Sequence, residues 1–65
     1  MQILLNGKRF ATEAINLDEL CESLGFADAK IATAVNGSFV AASERKKTAI
    51  IEAAEIDIVA PRQGG

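Results

Sequence analysis

The chain predicts an α+β domain, one main helix laid across one face of a small mixed sheet. Three observations carry this. Two Asn-Gly dipeptides, Asn6-Gly7 and Asn36-Gly37, each lie between short runs rich in branched residues. A single stretch, from Asn16 to Gly25, repeats its apolar residues with helical spacing and carries a start and a stop signal. A last apolar alternation, Glu55 to Ala60, precedes a Pro-Arg-Gln-Gly-Gly ending.

Met1 to Leu5 reads as the first strand. Asn-Gly is the strongest short hairpin signal, because both central residues of a type I′ turn need φ > 0. Lys8 to Thr12 returns as the second strand. With Leu5 opposite Lys8, the residues Ile3, Leu5 and Phe10 share the core face and Leu4 points the other way.

Asn16 caps the helix by accepting from a free N–H of its first turn, and Glu19 reaches back in a capping box. Ile15 and Leu20 occupy hydrophobic-staple positions across that cap. Leu17, Leu20, Cys21 and Leu24 fall at i, i+3, i+4 and i+7, one buried stripe. Gly25 stops the helix at a position that wants a left-handed residue, and Phe26 packs at the exit. Cys21 on that stripe reads as a small core hydrophobe, since no cation or second cysteine stands by to favour a thiolate.

Ile31 to Asn36 is the third strand and Ser38 to Ala41 the fourth. Ser43 to Ala49 is polar with at most a helical turn, and Ile50-Ile51 is a brief core patch. In the last strand Ile56 and Ile58 face inward, Asp57 and Val59 outward. A sheet with one helix covers one face only. Alternation puts Leu4, Ala32, Ala34, Val59 and Phe39 on the open face, where a cluster of apolar residues is a docking surface.

Composition narrows the function. Sixty-five residues make one domain without room for both a core and a deep cleft. Half of the chain is apolar and a quarter charged, as in a folded globule. The net charge of −2, with signs interspersed, argues against a nucleic-acid partner. The run Arg45-Lys46-Lys47 reads as a solvated loop. One cysteine excludes an internal disulfide and suggests a cytoplasmic protein. Neither a signal peptide nor a membrane-spanning run is expected, and no internal repeat is evident. Histidine, tyrosine and tryptophan are absent. The commonest general base and metal ligand are therefore missing, and the chain reads as a non-enzyme that binds no metal.

The division follows: a domain over 1–60 and a flexible tail over 61–65. Gly64 and Gly65 carry no Cβ and fit a narrow channel that other residues would block.

The opening Met1-Gln2-Ile3-Leu4-Leu5-Asn6-Gly7, the helix Leu17 to Gly25, the strand and turn Ala34-Val35-Asn36-Gly37 and the ending Ile58-Val59-Ala60-Pro61-Arg62-Gln63-Gly64-Gly65 together resemble the thiamine-biosynthesis sulfur carriers (ThiS), which have the ubiquitin-like β-grasp fold. Three features depart from that pattern, one of them Ala49 where the family often has a proline. Ala41-Ala42 stands where the family usually has proline and arginine. Glu52-Ala53-Ala54-Glu55 stands where it usually has an acidic-Gly-acidic turn. A reshaped or more helical loop from Ala41 to Glu55 is expected.

The resemblance implies a mechanism. A ubiquitin-activating-type enzyme uses ATP to adenylate the Gly65 carboxylate. A protein persulfide then displaces AMP to leave a thiocarboxylate, and thiazole synthase accepts the sulfur. The carrier binds no cofactor itself and is expected to be a monomer alone. Gly65 carries the reactive group and Gly64 gives clearance, while Pro61, Arg62 and Gln63 form the stalk. Leu4, Ala34, Val59 and Phe39 form the docking face. The nearest alternative is the small subunit of molybdopterin synthase, with the same fold and terminal group. A lysine-conjugating ubiquitin-like modifier and a plain interaction domain follow. The short chain and the Ala-Pro-Arg-Gln-Gly-Gly ending favour the thiamine carrier.

Overall fold

The computed structural model describes residues 1–26 and 30–60. The expected tail, Pro61 to Gly65, lies outside them. Five strands form one mixed sheet: β1 (Gln2–Leu5), β2 (Lys8–Ala11), β3 (Ala32–Val35), β4 (Ser38–Val40) and β5 (Glu55–Val59). Their order across the sheet is β2-β1-β5-β3-β4. The last strand is thus the central one, parallel to β1 and antiparallel to β3. The helix α1 (Leu17–Ser23) covers one face.

Both hairpins form as their Asn-Gly pairs dictate. Asn6 and Gly7 have φ of 51° and 82°, Asn36 and Gly37 of 50° and 83°. Leu5 stands opposite Lys8 and Val35 opposite Ser38. Asparagine tolerates the left-handed region because its short polar side chain bonds locally or nearby.

The core is one cluster in which Ile3, Ile56 and Ile58 of the sheet meet Leu17, Leu20 and Cys21 of the helix, with Leu5, Phe10 and Leu24 packed around them. Leu17 and Leu20 are fully buried. Each such side chain is worth about 1.5–3 kcal/mol of transfer free energy, a large share for a domain of this size.

The helix begins and ends as expected, with two differences. Asn16 Oδ1 accepts the Glu19 N–H at 2.8 Å. Glu19 Oε1 in turn accepts the N–H of Ile15 at 3.3 Å, one residue earlier than a capping box requires. Ile15 is 65% exposed, so the expected staple with Leu20 does not draw it into the core. The backbone explains this. Ile15 C=O accepts the Ile50 N–H and Thr48 C=O accepts the Leu17 N–H, an antiparallel bridge between Asn16 and Ala49 that fixes the helix entrance and turns Ile15 outward. At the other end Gly25 (φ 89°) donates to Glu22 C=O and Phe26 to Cys21 C=O, a Schellman motif.

The segment after β4 is more regular than its composition suggests: a 3-10 helix runs over Ala42–Lys47. Of the Ile50-Ile51 pair only Ile50 is core, and Ile51 is 62% exposed. Ala53 is a left-handed alanine with φ 68°, held by its N–H to Gln2 C=O at 2.8 Å. The chain therefore keeps a left-handed turn before β5 without a glycine there, at a cost of about 1–2 kcal/mol.

Candidate functional site

The site expected from the sequence has two parts, a glycine tail and a sheet face. Gly65, Gly64, Gln63, Arg62 and Pro61 lie outside the described residues, so the structure bears on the face and on the strand from which the tail departs.

The alternation places Leu4, Ala34, Val59 and Phe39 on the face away from the helix. Val59 is 60% and Phe39 73% exposed, while Leu4 and Ala34 are half-buried by their neighbours. The register decides which of them meet. Ala34 lies opposite Phe39 on β4 and opposite Asp57 on β5. Val59 lies opposite Ala32, one step along the same face. Phe39, Ala34, Ala32 and Val59 therefore form one apolar group at the end of the sheet where β5 stops. Leu4 stands across β5, opposite Glu55 and beside Arg9. Two carboxylates of the central strand, Glu55 and Asp57, thus divide Leu4 from the rest. Sequence alternation finds the face; only the strand order shows that it is divided.

Arg45 is not the solvated cation that its neighbours suggest. Lys46 and Lys47 are exposed, but Arg45 turns in from the 3-10 helix. Its Nε donates to Thr33 Oγ1 at 3.1 Å and its Nη2 to Ile31 C=O at 2.8 Å. The Thr33 hydroxyl, in a residue 1% exposed, donates in turn to Val40 C=O at 2.7 Å. This guanidinium ties the connecting segment to β3 and is spent on structure.

Cys21 is buried, and that burial raises its thiol pKa above the ordinary value, with Arg45 pulling it down and Asp18 up by smaller amounts. It stays a protonated core thiol at neutral pH. No cluster of three metal-ligating side chains occurs among the described residues, and none of their helices is long and apolar enough to cross a membrane.

Two asparagines have a role that sequence reasoning missed. The side chains of Asn6 and Asn36 both bond the backbone of β5, from opposite sides. The partners are distant in sequence, so nothing local signals them.

The described residues thus form a small domain whose last strand lies at the centre of the sheet, with an open apolar group at that strand's end. The sequence matches the ThiS family over residues 3–65. The chain belongs to the ThiS family. The resemblance to sulfur carriers drawn from the sequence is thereby borne out at the level of family. The fold agrees with a crystal structure of the thiamine biosynthesis protein ThiS from Geobacter metallireducens, at 22% identity and a TM-score of 0.83, covering 100% of both chains. No curated protein matches the sequence. In this ThiS chain the ubiquitin-like β-grasp arrangement is complete, with the helix on one face and the last strand at the centre.

Proposed function

We propose that this chain carries sulfur for thiazole formation in thiamine biosynthesis, as a thiocarboxylate on Gly65. The observation that carries the reading is the family match that runs through Gly64 and Gly65, which follow the central strand in sequence. The printed name of the structurally similar Geobacter protein, a thiamine biosynthesis protein, points the same way.

The chemistry asks little of the carrier's side chains. A carboxylate is a poor electrophile, so an activating enzyme first joins it to AMP from ATP and releases pyrophosphate. A persulfide sulfur on another protein attacks the acyl carbon and AMP leaves. A thiol then breaks the sulfur–sulfur bond, leaving the thiocarboxylate on Gly65. Thiazole synthase accepts that sulfur. The carrier supplies reach through Pro61, Arg62 and Gln63, clearance at Gly64, and a docking face at Phe39, Ala34 and Val59, with Leu4 beyond Glu55 and Asp57.

Incubation with the activating enzyme, ATP and a persulfide donor should change the intact mass by one oxygen-for-sulfur exchange at the C-terminal glycine. Gly65→Ala should abolish most of that exchange and leave the melting temperature nearly unchanged, as changes at chain ends generally do. No mass change with any ubiquitin-activating-type enzyme, or sulfur delivery to molybdopterin synthase instead of thiazole synthase, would overturn the reading.

A further inference from the structure

The central strand is held differently on its two sides. Against β3 it is paired from Ile56, opposite Val35, to Val59, opposite Ala32. Against β1 it is paired only at Glu55 and Ile56, because β1 ends at Leu5 and the chain turns away through Asn6 and Gly7. In an antiparallel pair, alternate residues point both backbone groups at the partner strand and the residues between point both away. The Asn36 N–H donates to Glu55 C=O. Glu55, Asp57 and Val59 therefore face β3, whereas Ile56 and Ile58 face β1.

Ile56 C=O finds the Asn6 N–H at 2.8 Å. Ile58 has no β1 residue left to pair with. The Asn6 side chain fills that place. Ile58 N–H donates to Asn6 Oδ1 at 2.9 Å, and Asn6 Nδ2 donates to Ile58 C=O at 3.2 Å. One side-chain amide stands in for the missing rung of β1.

We propose that Asn6 is a positioning residue for the chemistry at Gly65: by clasping Ile58 it fixes where the chain leaves the sheet, and so the direction in which the glycine pair is presented to the activating enzyme. The proposal rests on the sulfur-carrier reading. A strand end free to swing offers many directions, and only those leading into the partner's channel react. Fixing that end beforehand removes the loss of freedom from the step that aligns the glycine pair after the sheet face has docked. Asn36 is the internal control. It holds the same position in the turn of the other hairpin and bonds the same strand, but at Glu55, the end away from the tail.

The test compares Asn6→Gly with Asn36→Gly. Both keep the left-handed turn and remove one amide. Amide hydrogen exchange by NMR on the full chain reads the clasp. Steady-state adenylation by the activating enzyme reads its consequence. Asn6→Gly should speed Ile58 N–H exchange and lower the kcat of adenylation, each by about tenfold, the weight of one net hydrogen bond. KM, which reads docking of the sheet face, should stay near the wild-type value. Asn36→Gly should free the Glu55 amide and leave kcat unchanged. Equal losses of kcat in both variants would show general loosening and overturn the proposal. So would unchanged kcat in Asn6→Gly, or unchanged Ile58 exchange. A wild-type chain that forms no acyl-adenylate would sink the sulfur-carrier reading itself, and the positioning role with it.

Discussion

The two hairpins are built on one plan and differ in what fills it. Strands β1 and β3 have the same order of exposure along their four residues: exposed, buried, half-buried, half-buried. Each ends in Asn-Gly with nearly identical φ angles. Each lies against β5, one parallel and one antiparallel. The buried position is Ile3 in the first hairpin and Thr33 in the second, each 1% exposed. The first hairpin meets the core with a hydrocarbon. The second meets it with a hydroxyl that donates to Val40 C=O and accepts from Arg45. Equivalent backbone places are thus used for two tasks, packing the helix and anchoring the segment that follows β4.

The largest expected effect tests that division at Ile3. Ile3→Ala removes buried hydrocarbon and leaves a cavity under α1, at a cost of about 2–5 kcal/mol. In a chain this small that approaches the whole stability. Urea unfolding should show a much lower midpoint, and an unchanged midpoint would mean that the first hairpin is not the core contributor described above.

The second hairpin should respond more weakly and through a partner. Thr33→Val keeps the shape but leaves Arg45 Nε and its half-buried guanidinium short of one acceptor, for about 1–3 kcal/mol. Most of this loss should vanish in an Arg45→Met background, because the group left unpaired is then gone. A double-mutant cycle measures the coupling. Equal losses in both backgrounds would show that Thr33 acts by packing alone, and the contrast between the hairpins would disappear.

The contrast also marks how far the sequence could be read. The turns, the helix and its stop, the buried stripe Leu17, Leu20, Cys21 and the inward pair Ile56 and Ile58 all follow from local rules. Periodicity and turn chemistry act over a few residues, and the structure keeps them. What was not legible depends on chain segments that meet only in the fold. Ile15 satisfies the local pattern of a staple, yet the bridge to Ala49 turns it out. Arg45 looks like its lysine neighbours, yet Thr33 and Ile31 lie within its reach. Of Ile50 and Ile51, identical in the sequence, only the first meets the core. The open face was found by alternation, but its division by Glu55 and Asp57 needed the strand order. The tail residues Pro61 to Gly65 are legible only as chemistry and family pattern.

The finest test sets the two asparagines against each other. Asn6 uses both atoms of its amide on Ile58, one accepting and one donating. The side-chain amide of Asn36 bonds β5 through Oδ1 alone, accepting the Glu55 N–H at 2.9 Å. Aspartate is the substitution that separates these uses, since it tolerates the same left-handed turn and keeps an acceptor but loses the donor. Asn36→Asp should therefore change stability by no more than a few tenths of a kcal/mol, as roughly expected of an exposed site. Asn6→Asp should cost about 1–2 kcal/mol at neutral pH, because a carboxylate then faces the Ile58 carbonyl with no proton between them. The sign of its pH dependence follows. That environment favours the neutral acid and raises the folded-state pKa above the ordinary aspartate value of about 4. The stability is present below the ordinary value, where the acid's own O–H can donate to Ile58 C=O, and is lost as pH rises through the raised one. Stability curves of the two variants should then converge on acidification and separate toward neutrality. Parallel curves would mean that Asn6 holds Ile58 through its acceptor only, as Asn36 holds Glu55.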